Sequence, residues 1–182
     1  MRGWLVELSL FLVVEASGAE LDGRRRPNFI FILTDDQGWG DAGFAGHPYV
    51  RTPALDRLKR EGTWLQQFYV AATVCSPSRT AFMTGQYPAR HGVHGHFSTP
   101  EQNRERAMPN WLNPAAPMLP RLLRGAGYAT AHFGKWHLGD EPEYLPNRRG
   151  FDEMFIHGGG GIGQTFPGSC GDAPNNSYFN PA

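Results

Sequence analysis

The segment CSPSRTAFMTG, residues 75 to 85, brings a thiol, a proline and an arginine together at the expected start of a helix. Pro77 suits the first helical turn and Gly85 suits the position just after the last one. Cys75 would then lie where backbone amides and the helix dipole stabilise negative charge, and Arg79 could fold back to the same place. The pattern indicates a reactive thiol or a site for a tetrahedral oxyanion. The alternative is a structural cysteine beside a surface arginine.

Two adjacent carboxylates, Asp35 and Asp36, follow the apolar run NFIFIL from Asn28 to Leu33. Neighbouring carboxylates repel each other unless a cation or a proton compensates them. Calcium binds several hard oxygen ligands of this kind when they are held together. The pattern indicates either a calcium site or a turn in which one aspartate caps a helix.

The segment GKWHLG, residues 134 to 139, places Lys135 and His137 two residues apart after an expected strand. In an extended backbone both side chains point to one face and Trp136 points to the other, where it would pack. A lysine can hold an anionic group, and a histidine can exchange a proton near neutral pH. Ordinary surface polarity is the alternative interpretation.

The elements that would position these residues alternate between strand and helix. A buried parallel strand is expected over residues 28–33, a helix over 52–62 with Thr52 as its N-cap, and a second strand over 64–70, which together would form a βαβ unit. Further helices are expected over 77–84 and 117–125, and a further strand over 128–133. This alternation predicts an α/β fold, in which ligands bind at the carboxyl ends of the strands.

Composition narrows the choice of partner and compartment. The 182 residues include 17 basic and 17 acidic side chains, so no net charge attracts the chain to nucleic acid or to an anionic membrane. Residues 1–19 contain an apolar stretch from Leu5 to Val14, followed by the small residues Ser17 and Ala19. This is typical of a signal peptide and is too short for a stable membrane span. We therefore expect export, to the periplasm or outside the cell.

The two cysteines, Cys75 and Cys170, would pair in a disulfide if both were structural. That pairing is excluded if Cys75 carries out chemistry. Neither cysteine has the spacing of a zinc site. The run from Gly158 to Gly163 matches a nucleotide-binding glycine pattern, but Pro167 leaves too little room for the helix that such a motif requires. A flexible loop near the site is the better interpretation, and the final residues suggest the front part of a longer protein.

Taken together, these segments resemble the type I sulfatases, the formylglycine-dependent family of arylsulfatases and glycosaminoglycan sulfatases. The resemblance runs from about Pro27 to Phe155 and rests on DDQGWGD, on CSPSR followed by TG, and on GYATAHFGKWHLG leading into GFDEMF, in this order. It implies an alkaline-phosphatase-like sandwich with a central, mostly parallel sheet flanked by helices. Residues 27–182 would form an incomplete N-terminal part of that catalytic domain.

The resemblance implies that Cys75 does not act as a thiol. A maturation enzyme would read Cys75, Pro77 and Arg79 and oxidise the cysteine to formylglycine. The hydrate of this aldehyde would attack the sulfur of a sulfate monoester, and loss of a proton from its second hydroxyl would later expel sulfate.

The resemblance also implies a role for each neighbouring residue. Calcium would fix the hydrate and polarise the ester, while Arg79 and Lys135 would stabilise the anionic oxygens. A lysine or histidine would protonate the departing alcohol. His137 would hold or deprotonate the hydrate. The expected site residues are Asp35, Asp36 and the modified Cys75 for calcium, and Cys75, Arg79, Lys135 and His137 for catalysis.

Other residues used by the family cannot be placed in this chain: a later aspartate with asparagine or glutamine for calcium, and a later histidine and lysine at the sulfate. Gln164 and His157 are both candidates for a contact from the glycine-rich loop. We expect these residues alone to be inactive. A carbohydrate or aryl sulfate is the expected substrate. The rival interpretations are a phosphate or phosphonate ester hydrolase of the same superfamily, and a non-catalytic binding domain in which Cys75 is buried or disulfide-bonded.

Overall fold

The computed structural model describes residues 9–14, through their backbone, and residues 26–157. The chain divides into two compact units, Met1–Thr73 and Val74–Ala182. Among the described residues, no helix is long and apolar enough to span a bilayer.

The first unit contains an antiparallel strand pair. Strand β1 (Ser9–Val14) pairs with β2 (Asn28–Leu33), from Ser9 opposite Leu33 to Val14 opposite Asn28. The sequence predicts a parallel strand covered on both faces, but the pairing is antiparallel and Phe29, Ile30 and Ile32 are each about half exposed. The apolar run identified a strand, whereas its partner and its covering depend on residues distant in sequence.

Helix α1 (Pro53–Glu61) confirms the predicted helix and ends at Gly62, whose N–H donates to the Leu58 carbonyl at 2.8 Å. Thr52 does not cap it as expected. Its hydroxyl donates to the Asp56 carboxylate at 2.8 Å and accepts the Gly43 N–H at 2.8 Å, which ties the preceding loop to the helix.

The strand expected over residues 64–70 is absent, since this described segment turns at residues 66–67 and forms no ladder. Leu65 and Tyr69 are largely exposed. An apolar, aromatic run favours a strand only where another strand can accept its hydrogen bonds. The predicted βαβ unit is therefore wrong for this chain.

The second unit carries the remaining helices and a parallel strand pair. Helices α2 (Cys75–Thr84), α3 (Pro100–Glu105) and α4 (Leu119–Gly125) precede strand β3 (Ala131–Lys135), which pairs in parallel with β4 (Glu153–His157). The strand predicted over 128–133 thus exists but begins and ends later. The hydrophobic core of the second unit includes Val93, Leu112, Met118, Trp136 and Leu138, each no more than 1% exposed. Trp136 packs in this core, as predicted.

Helix α2 is defined at both ends by the residues that predicted it. Val74 precedes it in an extended conformation, and Pro77 lies in its first turn. Gly85 ends it with φ of +66° while its N–H donates to the Ala81 carbonyl at 2.8 Å, a left-handed cap that glycine adopts without strain. The helix begins at Cys75, two residues before the expected start. The thiol is therefore part of the first turn.

Candidate active site

Cys75 and Lys135 meet at the start of α2. Cys75 is half-buried and carries a free thiol, and the Nζ atom of Lys135 donates a hydrogen bond to its Sγ atom at 3.1 Å. Lys135 is the last residue of β3 and is only 7% exposed. The end of a strand and the start of a helix thus place an ammonium group beside the sulfur, in a position where negative charge is favoured.

Arg79 lies one turn further along α2 and is buried. Its Nη1 atom donates to the main-chain carbonyl of Lys135 at 2.7 Å, and the His132 ring nitrogen Nε2 lies 3.2 Å from the same oxygen. The guanidinium therefore holds the main chain of the residue that contacts Cys75. This contact joins α2 to the carboxyl end of β3.

His137 is buried two residues beyond Lys135. We expected extended backbone here, but the φ of His137 is +56°, so the chain turns at this residue. Its Nε2 atom lies 3.0 Å from the carbonyl oxygen of Phe97. Because a carbonyl can only accept, Nε2 carries the proton and Nδ1 keeps its lone pair. Within the described part of the chain, Nδ1 is buried without a hydrogen-bond partner.

The environment of His137 keeps its ring neutral. Its pKa is lowered to about 4: burial is the largest cause, the charges of Lys135 and Arg79 lower it as well, and the hydrogen bond to Phe97 opposes the shift. A neutral imidazole with an unprotonated Nδ1 is a hydrogen-bond acceptor. Nδ1 can therefore accept a hydrogen bond from a hydroxyl placed beside it.

Sequence reasoning missed the segment that holds His137. The Phe97 N–H donates to the Ser76 hydroxyl at 3.0 Å, while its carbonyl binds His137. One residue thus connects the position next to Cys75 with the histidine. No sequence pattern indicated this, because main-chain groups are the same in every residue type.

A second histidine, His96, lies beside the first, with its ring centroid 6.4 Å from that of His137. Its Nε2 atom lies 3.4 Å from Arg106 Nη1. Burial lowers the pKa of His96, and the charges of Arg106 and Lys135 lower it further. The only sequence signal for His96 is its position in the histidine-rich run HGVHGH, residues 91 to 96.

The two predicted metal ligands lie in the first unit, in the turn after β2. Asp35 is half-buried and Asp36 is exposed with φ of +58°. The third acid of the motif, Asp41, accepts the Gly38 N–H at 2.6 Å. In the described residues, no group of three or more His, Cys, Asp or Glu side chains could hold a metal. The position of the two aspartates relative to Cys75 remains a prediction.

Several predicted features lie outside the described residues. They are Cys170, the glycine run over 158–163, Gln164 and the side chain of His157. Among the described residues, the structure brings together Cys75, Arg79, Lys135 and His137. Residues 26–157 contain no second cysteine, so the predicted alternative of a disulfide between Cys75 and Cys170 is not tested.

Comparison with known proteins identifies the family of this chain and several relatives. The family model named Sulfatase matches residues 27–167. N-acetylgalactosamine-6-sulfatase from Sus scrofa is 43% identical over 151 residues, which cover 80% of this chain and 28% of that protein. Arylsulfatase G from Canis lupus familiaris is 37% identical over 187 residues, which cover 97% of this chain and 32% of that protein. The chain thus spans about a third or less of the length of these relatives.

The solved structures similar to this chain include the crystal structure of Ps i-CgsB. It matches with a TM-score of 0.60 and 40% identity over 69% of this chain and 27% of that one. A bacteroides thetaiotaomicron sulfatase, BT33336S-sulf, matches with a TM-score of 0.55 and 30% identity over 67% of this chain and 26% of that one. These matches support the predicted α/β, alkaline-phosphatase-like fold, represented here in part. The chain belongs to the sulfatase family.

Proposed function

We propose that the protein hydrolyses a sulfate monoester, with its chemistry centred on Cys75. The observation that carries this proposal is the 3.1 Å contact between Lys135 Nζ and Cys75 Sγ at the first turn of α2. Donors held in place before a reaction stabilise charge that develops on the reacting oxygens. Membership of the sulfatase family supports the same reaction.

Each residue of the site has a distinct task in this proposal. Lys135 donates to the anionic oxygens of the sulfate group, while Arg79 holds the Lys135 main chain and adds positive charge. His137 accepts a proton at Nδ1, because its Nε2–H is fixed on Phe97. The two cations and the neutral His137 ring are all buried, so water is excluded from their contacts and the electrostatic interactions are stronger.

The nucleophile in this proposal is formylglycine formed from Cys75, whose hydrated aldehyde supplies a hydroxyl to attack sulfur. The half-buried Cys75, without a disulfide to another described residue, fits such a conversion. Pro77 and Arg79 are buried in the folded unit. A maturation enzyme that reads them as a linear motif must therefore act before α2 packs.

Calcium is the proposed metal, held by Asp35, Asp36 and the modified Cys75. Carboxylate oxygens fit calcium, yet these three side chains alone do not supply its six to eight ligands. Main-chain or amide oxygens, water or the substrate would complete the ligand set. When bound, calcium would supply positive charge to polarise the ester.

Calcium binding can be tested without turnover. Isothermal titration of the full-length, metal-free protein with calcium should show binding that the Asp35→Asn and Asp36→Asn variants weaken. As the matched control, Asp152→Asn changes an aspartate that binds Thr130 and Arg124 in the second unit. Equal affinity in all variants would remove these two residues from the metal site.

The proposed substrate is a carbohydrate sulfate, supported by the name of the N-acetylgalactosamine-6-sulfatase relatives. The rival is a phosphate or phosphonate ester. Turnover of the sulfate and phosphate monoesters of one alcohol by full-length protein separates them, with Cys75→Ala as the inactive control. Preference for the sulfate ester supports the proposal, and preference for the phosphate ester overturns it.

We also propose that residues 1–19 direct export and are removed. Cleavage after Ala19 would remove β1 and with it the hydrogen bonds of Ser9–Val14 to β2. N-terminal sequencing of the mature protein tests this, since export predicts a start at Glu20 and retention predicts a start at Met1 or Arg2.

A further inference from the structure

The peptide group between Phe97 and Ser98 is held from both sides. Its carbonyl, from Phe97, accepts from His137 Nε2 at 3.0 Å. Its N–H, from Ser98, donates to Asn103 Oδ1 at 2.9 Å. Because a peptide bond is planar, fixing the N–H fixes the direction of the carbonyl. Asn103 therefore acts on the same rigid group that sets the proton position on His137.

Asn103 is built to hold this peptide. Its side chain is fully buried, and its Nδ2 atom donates to the Ser98 carbonyl at 2.9 Å and to Asn110 Oδ1 at 3.0 Å. The Ser98 N–H can only donate, so it fixes which end of the amide faces it. The main chain of Asn103 is bound as well, by Thr99 at 2.9 Å and Met108 at 2.8 Å. Both ends of this amide are satisfied and cannot turn.

We propose that Asn103 is a positioning residue for sulfate ester hydrolysis: through the Phe97–Ser98 peptide it holds His137 in the tautomer that leaves the Nδ1 lone pair available to accept a proton. The inference rests on the proposed function of His137. It adds a residue that contacts neither the sulfur of Cys75 nor the expected substrate.

Loss of the amide would free the peptide to rotate. With the carbonyl turned away, Nε2–H loses its acceptor and the ring can take the other tautomer, whose Nδ1 carries the proton. Such a ring cannot accept at Nδ1. We expect Asn103→Ala to lower kcat about 10-fold or more with KM unchanged, because part of the roughly 10²–10⁴-fold contribution of a general base is lost when only some rings keep the Nε2–H tautomer.

A conservative variant separates positioning from general stability. Asn103→Asp keeps an oxygen for the Ser98 N–H but loses the donor to Ser98 and Asn110, so it should destabilise the protein yet keep the tautomer. Thr130→Val is the matched control for lost stability. It removes a buried hydroxyl that donates to the Gly150 carbonyl at 2.8 Å, away from the Phe97–Ser98 peptide.

The experiment is nitrogen NMR of the full-length protein labelled with ¹⁵N-histidine, with the His137 signal assigned by its loss in His137→Gln. The proposal expects the Nε2–H form in the unsubstituted protein, in Asn103→Asp and in Thr130→Val, and a mixture in Asn103→Ala. An unchanged tautomer in Asn103→Ala overturns it, as does a tautomer that follows melting temperature in all variants. If Asn103→Ala does not fold, an Nδ1–H form in the unsubstituted protein still overturns it.

The NMR result does not depend on turnover. A correct tautomer in protein that hydrolyses no sulfate ester would refute the proposed function and leave the hydrogen-bond arrangement intact. A wrong tautomer in active protein would refute the positioning role alone.

Discussion

Replacing Lys135 by methionine separates charge from packing at the site. Methionine keeps an unbranched apolar stem in the buried space and removes the ammonium group that lies 3.1 Å from Cys75 Sγ. A singly charged anionic oxygen placed where Cys75 Sγ lies, 3.1 Å from the ammonium, would be attracted by about 5 kcal/mol at an effective dielectric constant of about 20. Part of this attraction already exists in the ground state, so the loss in the transition state is smaller. Removing one fixed donor of this kind costs about 2.7–4 kcal/mol, or about 10²–10³ in kcat.

Although kcat should fall, the thermal stability of Lys135→Met should rise or stay unchanged. Burying an ammonium group costs free energy because the charge loses its hydration, and methionine avoids that desolvation cost. We therefore expect Lys135→Met to keep or raise the melting temperature while kcat for a sulfate ester falls 100-fold or more. The assay is steady-state turnover by full-length protein, with a thermal melt of the same sample.

Lys59, the other lysine of the chain, provides the matched control. Its Nζ atom lies 3.5 Å from the centre of the Trp64 ring in the first unit, so Lys59→Met should cost about 1 kcal/mol of stability and leave turnover unchanged. The reasoning is refuted if Lys135→Met keeps a third or more of normal kcat. It is also refuted if activity and melting temperature fall together in Lys135→Met.

Two further predictions concern stability. The pKa of His137 is about 4 in the folded chain and near 6.5 when unfolded, so the unfolded state binds the proton more readily. The folded state therefore has its full stability above pH 6.5, and about 3 kcal/mol of the free energy of unfolding is lost as the pH falls toward 4. Urea unfolding at pH 7 and pH 4.5 measures this loss. The loss should be smaller in His137→Gln, which has no ring to protonate. Gly150 has φ of +109°, and an added Cβ would lie 2.6 Å from the main-chain N of Arg121, whereas at Gly85 the space is open. Gly85→Ala should therefore cost about 1 kcal/mol and Gly150→Ala at least twice that in thermal unfolding, and equal costs would contradict the structure.

Local signals predicted the parts of the fold that depend on few residues. Pro77 and Gly85 set the limits of α2 to within two residues, because a proline and a left-handed glycine act on their own turn of the chain. Strand β3, predicted over residues 128–133, forms over Ala131–Lys135. The strand expected over residues 64–70 failed because a strand also needs a partner, which a local window does not contain.

The site was predicted in the same uneven way. Side chains of distinct chemistry, such as Cys75 and Lys135, could be identified from their types and spacing, and the structure brings these two together. The turn at His137 could not, since a positive φ at a non-glycine residue follows from tertiary contacts. The role of Phe97 lies entirely in its main-chain groups, which no residue pattern reveals.

The central claim is that Cys75 is converted to formylglycine for sulfate ester chemistry. Mass spectrometry of the full-length protein from its own host tests this directly, through the tryptic peptide from Glu61 to Arg79. We predict a peptide in which an aldehyde replaces the Cys75 thiol. A peptide with only intact or disulfide-bonded cysteine, from a host that contains the maturation enzyme, would contradict the claim.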